Sequence, residues 1–152
     1  MSIMRKRTKI SLFLLLLVLV IVFALSHIPL ELVCPFLDDT SIISTVQLEF
    51  DTGSHSKWHS LSDPAQINAL CGFFDDVHLS LTEPFLLGIK YGEPDGESDV
   101  RLIGISFGSV KNHIFLKSDG SMYTGMHGYK ANGSNISELY QYLINTYYAL
   151  AE

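Results

Sequence analysis

Residues 113–125 read HIFLKSDGSMYTG: two short runs rich in β-formers, His113 to Lys117 and Ser121 to Gly125, stand on either side of Asp119-Gly120. The dipeptide predicts a tight hairpin, because a type I′ turn needs positive φ at both central positions and Asp-Gly supplies it. Working back from it, Gly108 to Asn112 predicts another reversal, and Leu79 to Leu81, Phe85 to Tyr91 and Val100 to Phe107 read as further strands. Working forward, Asn135 and Glu138 have capping-box spacing ahead of Ile136, Leu139, Tyr140, Leu143, Tyr147 and Leu150, a long amphipathic helix that closes the chain.

The other half supplies the remaining elements. Val46, Leu48 and Phe50 alternate with Thr45, Gln47 and Glu49, the period of a half-buried strand, and the polar stretch Asp51 to Ser56 turns the chain into a second strand near Lys57 to Leu61. Ser62 and Asp63 offer N-caps, Pro64 suits the first helical turn, and Ile67, Leu70, Cys71 and Phe74 fall on one helical face. The expected order is β-β-α-β-β-β-β-α: an α+β domain, an antiparallel sheet with two helices packed on one face.

Before the domain, an apolar run from Ile10 to Leu25 follows Arg5, Lys6, Arg7 and Lys9 and continues through Ser26 and His27 to Leu30. One basic flank and a length near that of the hydrocarbon layer predict a single spanning helix with its N-terminus inside. The organisation expected is therefore a basic cytoplasmic N-terminus over 1–9, a transmembrane anchor over 10–30, a linker over 31–41 carrying Pro35, and an extracytoplasmic domain over 42–152. A cleaved signal peptide is the alternative, since Ala24 and Ser26 form a small-x-small pattern after a basic n-region. Lipidation at Cys34 fits less well, because Glu31, Leu32 and Val33 precede it.

All 16 carboxylates lie at or after Glu31, whereas four of the 10 basic residues precede the apolar run, so the part beyond it is strongly acidic. That balance argues against nucleic acid and other polyanions as partners. Cys34 and Cys71 are the only two cysteines, and in an oxidising compartment they can pair as a disulfide; the alternative is that Cys71 is a small core residue.

The layout over Ser44 to Leu150 resembles small membrane-tethered extracytoplasmic α+β domains of Gram-positive bacteria that mostly lack an assigned activity. The resemblance is carried by the Ser-Asp-Pro-helix segment at 62–74 and the hairpin-plus-helix end, and it transfers no site residues. A second, local resemblance concerns Phe50-Asp51-Thr52-Gly53-Ser54 with Trp58 soon after, which looks like the catalytic turn of pepsin-like aspartic peptidases. That family uses two such carboxylates sharing a proton. One chain supplies one, so the resemblance implies a homodimer of the retroviral-peptidase kind using Asp51, Thr52 and Gly53, with Leu102-Ile103-Gly104 as its later apolar-apolar-Gly element. Glu49 stands where the family has an apolar residue, and Asp, Gly and Ser are also ordinary turn formers.

Other candidates are weaker. His55 and His59 can meet across a turn, with His113 and His127 elsewhere, but no HExxH or CxxC spacing accompanies them. Glu93, Asp95, Glu97 and Asp99 alternate along a loop without the spacing of a calcium-binding EF-hand. Asn132-Gly-Ser134 and Asn135-Ile-Ser137 match glycosylation acceptors. Trp58, Tyr142 and Tyr148, with Met126, read as an exposed contact patch, because Trp and Tyr give large contact area at low entropic cost. The function expected is thus a membrane-anchored, non-enzymatic binding domain, without a cofactor or metal, for an envelope protein or small ligand. The homodimeric aspartic peptidase is the enzymatic alternative.

Overall fold

A computed structural model of the chain describes all residues except 1, 38, 76, 84–98, 109–111, 126, 134 and 151–152, with residues 2–10 described in backbone only. Helix α1 (Ser2–Ser26) is followed by the short β1 (Ile28–Pro29), a single helical turn α2 (Leu30–Val33) and two 3₁₀ turns at Pro35–Leu37 and Thr40–Ile42. The domain proper then runs β2 (Val46–Asp51), β3 (Ser56–Leu61), α3 (Pro64–Gly72), β4 (His78–Glu83), β5 (Leu102–Phe107), β6 (His113–Leu116), β7 (Ser121–Thr124), β8 (His127–Asn132) and α4 (Asn135–Ala149). The expected strand over Phe85 to Tyr91 lies outside the described residues.

The sheet is antiparallel throughout, in the order β1-β4-β8-β7-β6-β5-β2-β3. Strands β5 to β8 form a meander, and β2 joins it by pairing Leu48 with Ile105 and Phe50 with Ile103. Between the edge strand β3 and β4 near the opposite edge, α3 carries the chain across. Its N-terminus is set as the sequence predicts, with Pro64 opening the helix and the Asp63 carboxylate accepting from the Ala65 amide at 3.1 Å.

One parity of each strand faces the helices. Val46, Leu48, Phe50, Ile103, Ile105, Phe107, Ile114, Leu116, Met122 and Leu79 form one cluster with Ile67 and Leu70 of α3 and Leu139, Leu143 and Tyr147 of α4. The two leucines of α4 are fully buried, each worth about 1.5–3 kcal/mol on removal from water. On the opposite face the register sets Trp58, Glu49, Gly104, Phe115, Tyr123, Gly128 and Glu83 in a single row across seven strands.

Two turns differ from expectation. The Lys117 carbonyl accepts from the Gly120 amide, so Ser118 and Asp119 are the central pair, and Gly120, at φ +76°, follows them in a bulged hairpin rather than a two-residue one. The Asp119 carboxylate accepts from the Ser121 amide at 2.8 Å. Burial works against its charge, yet the Ser121 hydroxyl and amide, with Lys130 and Lys117, hold the carboxyl below its ordinary value. Asn135 is already within α4 rather than its cap, and its side-chain amide donates to the Asp75 carbonyl at 3.3 Å, tying α4 to the turn that follows α3.

The expected spanning anchor is corrected. Among the described residues no helix is long and apolar enough to cross a membrane. The helix ends at Ser26, and residues counted into the span beyond it belong to the domain: Ile28 and Pro29 pair with β4, and Leu30 is buried in the core. What remains apolar, Ile10 to Leu25, extends about 24 Å at 1.5 Å per residue, against about 30 Å of hydrocarbon. With the transmembrane helix go the single-pass, signal-anchor topology and the cell-membrane localisation with an extracytoplasmic domain that rested on it. Side chains from Leu12 to Phe23 are exposed, so this stretch of the helix contributes nothing to the core.

Candidate functional site

Among the described residues, the order of the sheet leaves β3 with a neighbour on one side only. Its six residues pair with β2 in unbroken register, from Ser56 against Asp51 to Leu61 against Val46, so no bulge turns its outer edge away. An edge of this kind presents a row of backbone donors and acceptors that a further strand can satisfy.

Side chains of β3 divide by face. Lys57 and His59, opposite Phe50 and Leu48, lie half-buried toward the helices, whereas Ser56, Trp58 and Ser60 are exposed on the other face. Trp58 keeps 61 % of its surface accessible. On the helix side the Lys57 ammonium stands 4.6 Å from the centroid of the Tyr147 ring, and Tyr148 meets Tyr147 edge-on at 5.7 Å. The free edge is thus bordered by Trp58 on one face and, beyond Lys57 on the other, by the Tyr147-Tyr148 pair. Tyr142, the third aromatic expected in a contact patch, instead packs its ring 5.4 Å from Phe73 and is half-buried. Met126 lies outside the described residues.

The turn before β3 holds the peptidase-like residues. Asp51 ends β2, and its carboxylate accepts from the Gly53 amide at 2.6 Å. Gly53 has φ +84°, and a Cβ there would stand 3.3 Å from the Arg101 side chain, so both conformation and space call for glycine. The Thr52 hydroxyl is buried against Ser54 and His55, with Ser54 Oγ and His55 Nδ1 each 3.1 Å away. Asp51 pairs across the sheet with Leu102, and the Leu102-Ile103-Gly104 segment is strand, ended by the turn at Gly108. The Asp51 carbonyl accepts from the Arg101 amide at 2.8 Å, while the side-chain hydrogen bonds of Asp51 and Thr52 given by the structure stay within the turn.

Cys34 and Cys71 are separate free thiols, both buried. Burial pushes the Cys34 thiol up to about 11, its weak bond to the Thr124 hydroxyl at 3.9 Å pulling the other way. Burial, then the nearby Asp75 charge, raises Cys71, which lines a cleft of about 270 Å³ with Leu30, Asn68 and Phe74. Neither thiol is suited to act as a nucleophile at neutral pH. Segment 31–41, expected as a linker, is where Cys34 is held: it folds as short helical turns against the sheet, with the Phe36 ring 5.3 Å from Phe107.

His55 is engaged in its turn and His59 stands on β3, and among the described residues no three or more His, Cys, Asp or Glu side chains gather as a metal site. Of the alternating acidic loop, Glu93, Asp95 and Glu97 lie outside the described residues, while Asp99 accepts a hydrogen bond from the Tyr147 hydroxyl at 2.8 Å.

Sequence reasoning singled out Trp58 and Tyr148 but not their placement about one edge, because strand order is not a local property. It also missed β8, whose HGYKAN sequence has two inward apolar residues, Tyr129 and Ala131, too few for a clear alternation. Its one legible signal was Gly128, a glycine inside a strand pattern, which marks a close approach. Neither a family model, nor a curated protein, nor a solved structure matches this chain.

Proposed function

We propose that this chain is a binding module without catalytic activity, and that it takes an extended acidic peptide segment of a partner protein along the free edge of β3. The observation that carries the reading is the regular, unbulged edge of β3 with Trp58 exposed beside it. Main-chain hydrogen bonds supply affinity in this mode, and side chains bordering the strand supply selectivity. Trp58 offers a flat apolar surface on one face of the added strand; Lys57 and Tyr148 offer a cation and an aromatic on the other.

Charge decides the chemistry of the partner. The segment Ser56–Leu61 and His55 before it carry Lys57 and two histidines and no carboxylate, in a chain whose formal charge is −6. A partner strand with inward carboxylates meets Lys57 favourably. A second copy of β3, laid antiparallel in the central registers, sets Lys57 against Lys57 or His59, which is unfavourable across a strand pair. Asp51 supports the same reading, since its carboxylate closes a turn rather than being presented to a substrate.

The test uses the single tryptophan. The full chain is titrated with an alternating Val-Glu octapeptide, its Val-Lys counterpart and a Val-Glu version N-methylated on one edge. Binding of the first alone, with blue-shifted Trp58 emission and amide shifts confined to 55–61, supports the reading. No response, or equal response to all three, overturns it.

A further inference from the structure

A second site, remote from β3, lies where the chain between α2 and the first 3₁₀ turn crosses the turn joining β7 to β8. We propose that the cleft there, about 440 Å³ in volume, binds a small apolar molecule carrying one hydrogen-bond acceptor oxygen, with the Tyr129 hydroxyl as the donor to it.

The walls set the first half of that chemistry. Leu32, Val33, Pro35 and Phe36 form one side, and Asn112, Thr124, Gly125, His127 and Tyr129 form the rest of the lining. The volume sits at the small end of ligand pockets, which run from about 300 to 1,000 Å³. It suits a single ring or a short branched chain. Leu32 is 77 % exposed although it belongs to a folded turn, so the described residues leave an apolar side chain of the lining uncovered.

Tyr129 sets the second half. Its side chain is only 5 % exposed, yet among the described residues its hydroxyl makes no hydrogen bond. A phenol that lines a cleft without a protein partner has its hydroxyl left to donate to whatever occupies the cleft. Burial raises its pKa above the ordinary phenol value, with the neighbouring Cys34 adding to the shift, so at neutral pH the hydroxyl keeps its proton and acts as a donor. The other hydroxyl in the lining is occupied: Thr124 donates to the His113 carbonyl at 3.0 Å and receives the Cys34 thiol at 3.9 Å. Among the described residues the lining contains no carboxylate, in an acidic chain, so an oxygen acceptor meets no repulsion from them. A carbonyl and a carboxylate share this acceptor chemistry, and the probes separate them.

The experiment titrates the full chain with acetophenone, benzoate and toluene, followed by backbone amide shifts at Leu32, Thr124 and Gly125. The expected result is that at least one acceptor-bearing probe binds more tightly than toluene, and that Tyr129→Phe weakens that probe roughly tenfold while leaving toluene unchanged, the loss of one hydrogen bond. Acetophenone over benzoate marks a neutral acceptor, the reverse an anionic one. Because the hydroxyl has no partner to lose, the free Tyr129→Phe protein should melt no lower than the parent. Leu32→Ala, outside the core, should weaken all three probes without altering the melting temperature, which keeps the test open should the first variant misfold. Absence of shifts with either acceptor probe, or undiminished binding by Tyr129→Phe, overturns the proposal.

Discussion

The Lys57 ammonium lies 4.6 Å from the centroid of the Tyr147 ring, and the hydroxyl of that ring donates to the Asp99 carboxylate at 2.8 Å. One aromatic residue of α4 thus holds a cation of the edge strand and an anion from just before β5. Burial raises the Tyr147 hydroxyl above the ordinary phenol value, and its hydrogen bond to Asp99 and the charges of Asp99 and Tyr148 raise it further.

That shift makes stability depend on alkaline pH. The unfolded chain releases the phenol proton near pH 10, whereas the folded chain retains it to a higher pH. Between those two points deprotonation favours unfolding, so stability contributed by Tyr147 is complete below about pH 10 and falls as pH rises through the folded value. Tyr147→Phe should lose about 1 kcal/mol at neutral pH, from the hydrogen bond, and decline less steeply above pH 10. Denaturant melts of both proteins at pH 7, 10 and 11 check this; parallel declines would refute it.

On the opposite face, Tyr123 lies across Gly128. A Cβ at Gly128 would stand 3.1 Å from the Tyr123 ring and 3.1 Å from the Glu83 side chain. Gly128→Ala should therefore displace the ring and destabilise the domain by about 1–3 kcal/mol, the usual penalty for overpacking. Gly72→Ala, where a Cβ meets nothing within 4 Å, is the matched control and should be neutral or mildly stabilising. Thermal melts of the two variants beside the parent decide the matter.

These pairs mark the boundary of what the sequence makes legible. Alternation at 46–50 and helical spacing at 67–74 and 136–150 located elements correctly, since both patterns are imposed by one-sided burial, which acts locally. Pairing of β4 with β8, and the placement of β3 at an edge, depend on a crossover through α3 that no short window records. The apolar N-terminal stretch misled for a related reason. Hydropathy reads Ile28 and Leu30 as continuous with Ile10 to Leu25, although Leu30 is apolar because it fills the domain core. Trp58 and Tyr148 were legible as aromatics, and their grouping about one edge was not.

Asp51 separates a turn role from a catalytic one. Its carboxylate oxygen accepts from the Gly53 amide, a bond an asparagine side chain can reproduce with its own oxygen. Asp51→Asn should keep stability within about 0.5 kcal/mol of the parent, whereas Asp51→Ala should lose about 1 kcal/mol by leaving the amide without its partner. Denaturant melts measure both. Hydrolysis of an unstructured protein substrate at acidic pH by the parent, lost in Asp51→Asn, would contradict the turn role.

Cys34 provides a check on how tightly the 30–37 segment is held. Its thiol is fully buried and pushed up to about 11, two units above the ordinary value of 9.0, so below both values its thiolate fraction is about 100-fold lower than that of an unperturbed cysteine. The thiolate is the reactive form, and burial removes access as well. With Cys71 replaced by alanine, alkylation of Cys34 at pH 8 should therefore be at least 100-fold slower in the native protein than in denaturant, and should accelerate with sub-denaturing concentrations only if the segment opens locally. Val33→Gly, which loosens the turn that carries Cys34, should raise the native rate while leaving the denatured rate unchanged. Fast labelling of Cys34 in the unmodified fold would mean that the segment does not stay closed over the sheet, and with it the wall of the Tyr129 cleft would be lost.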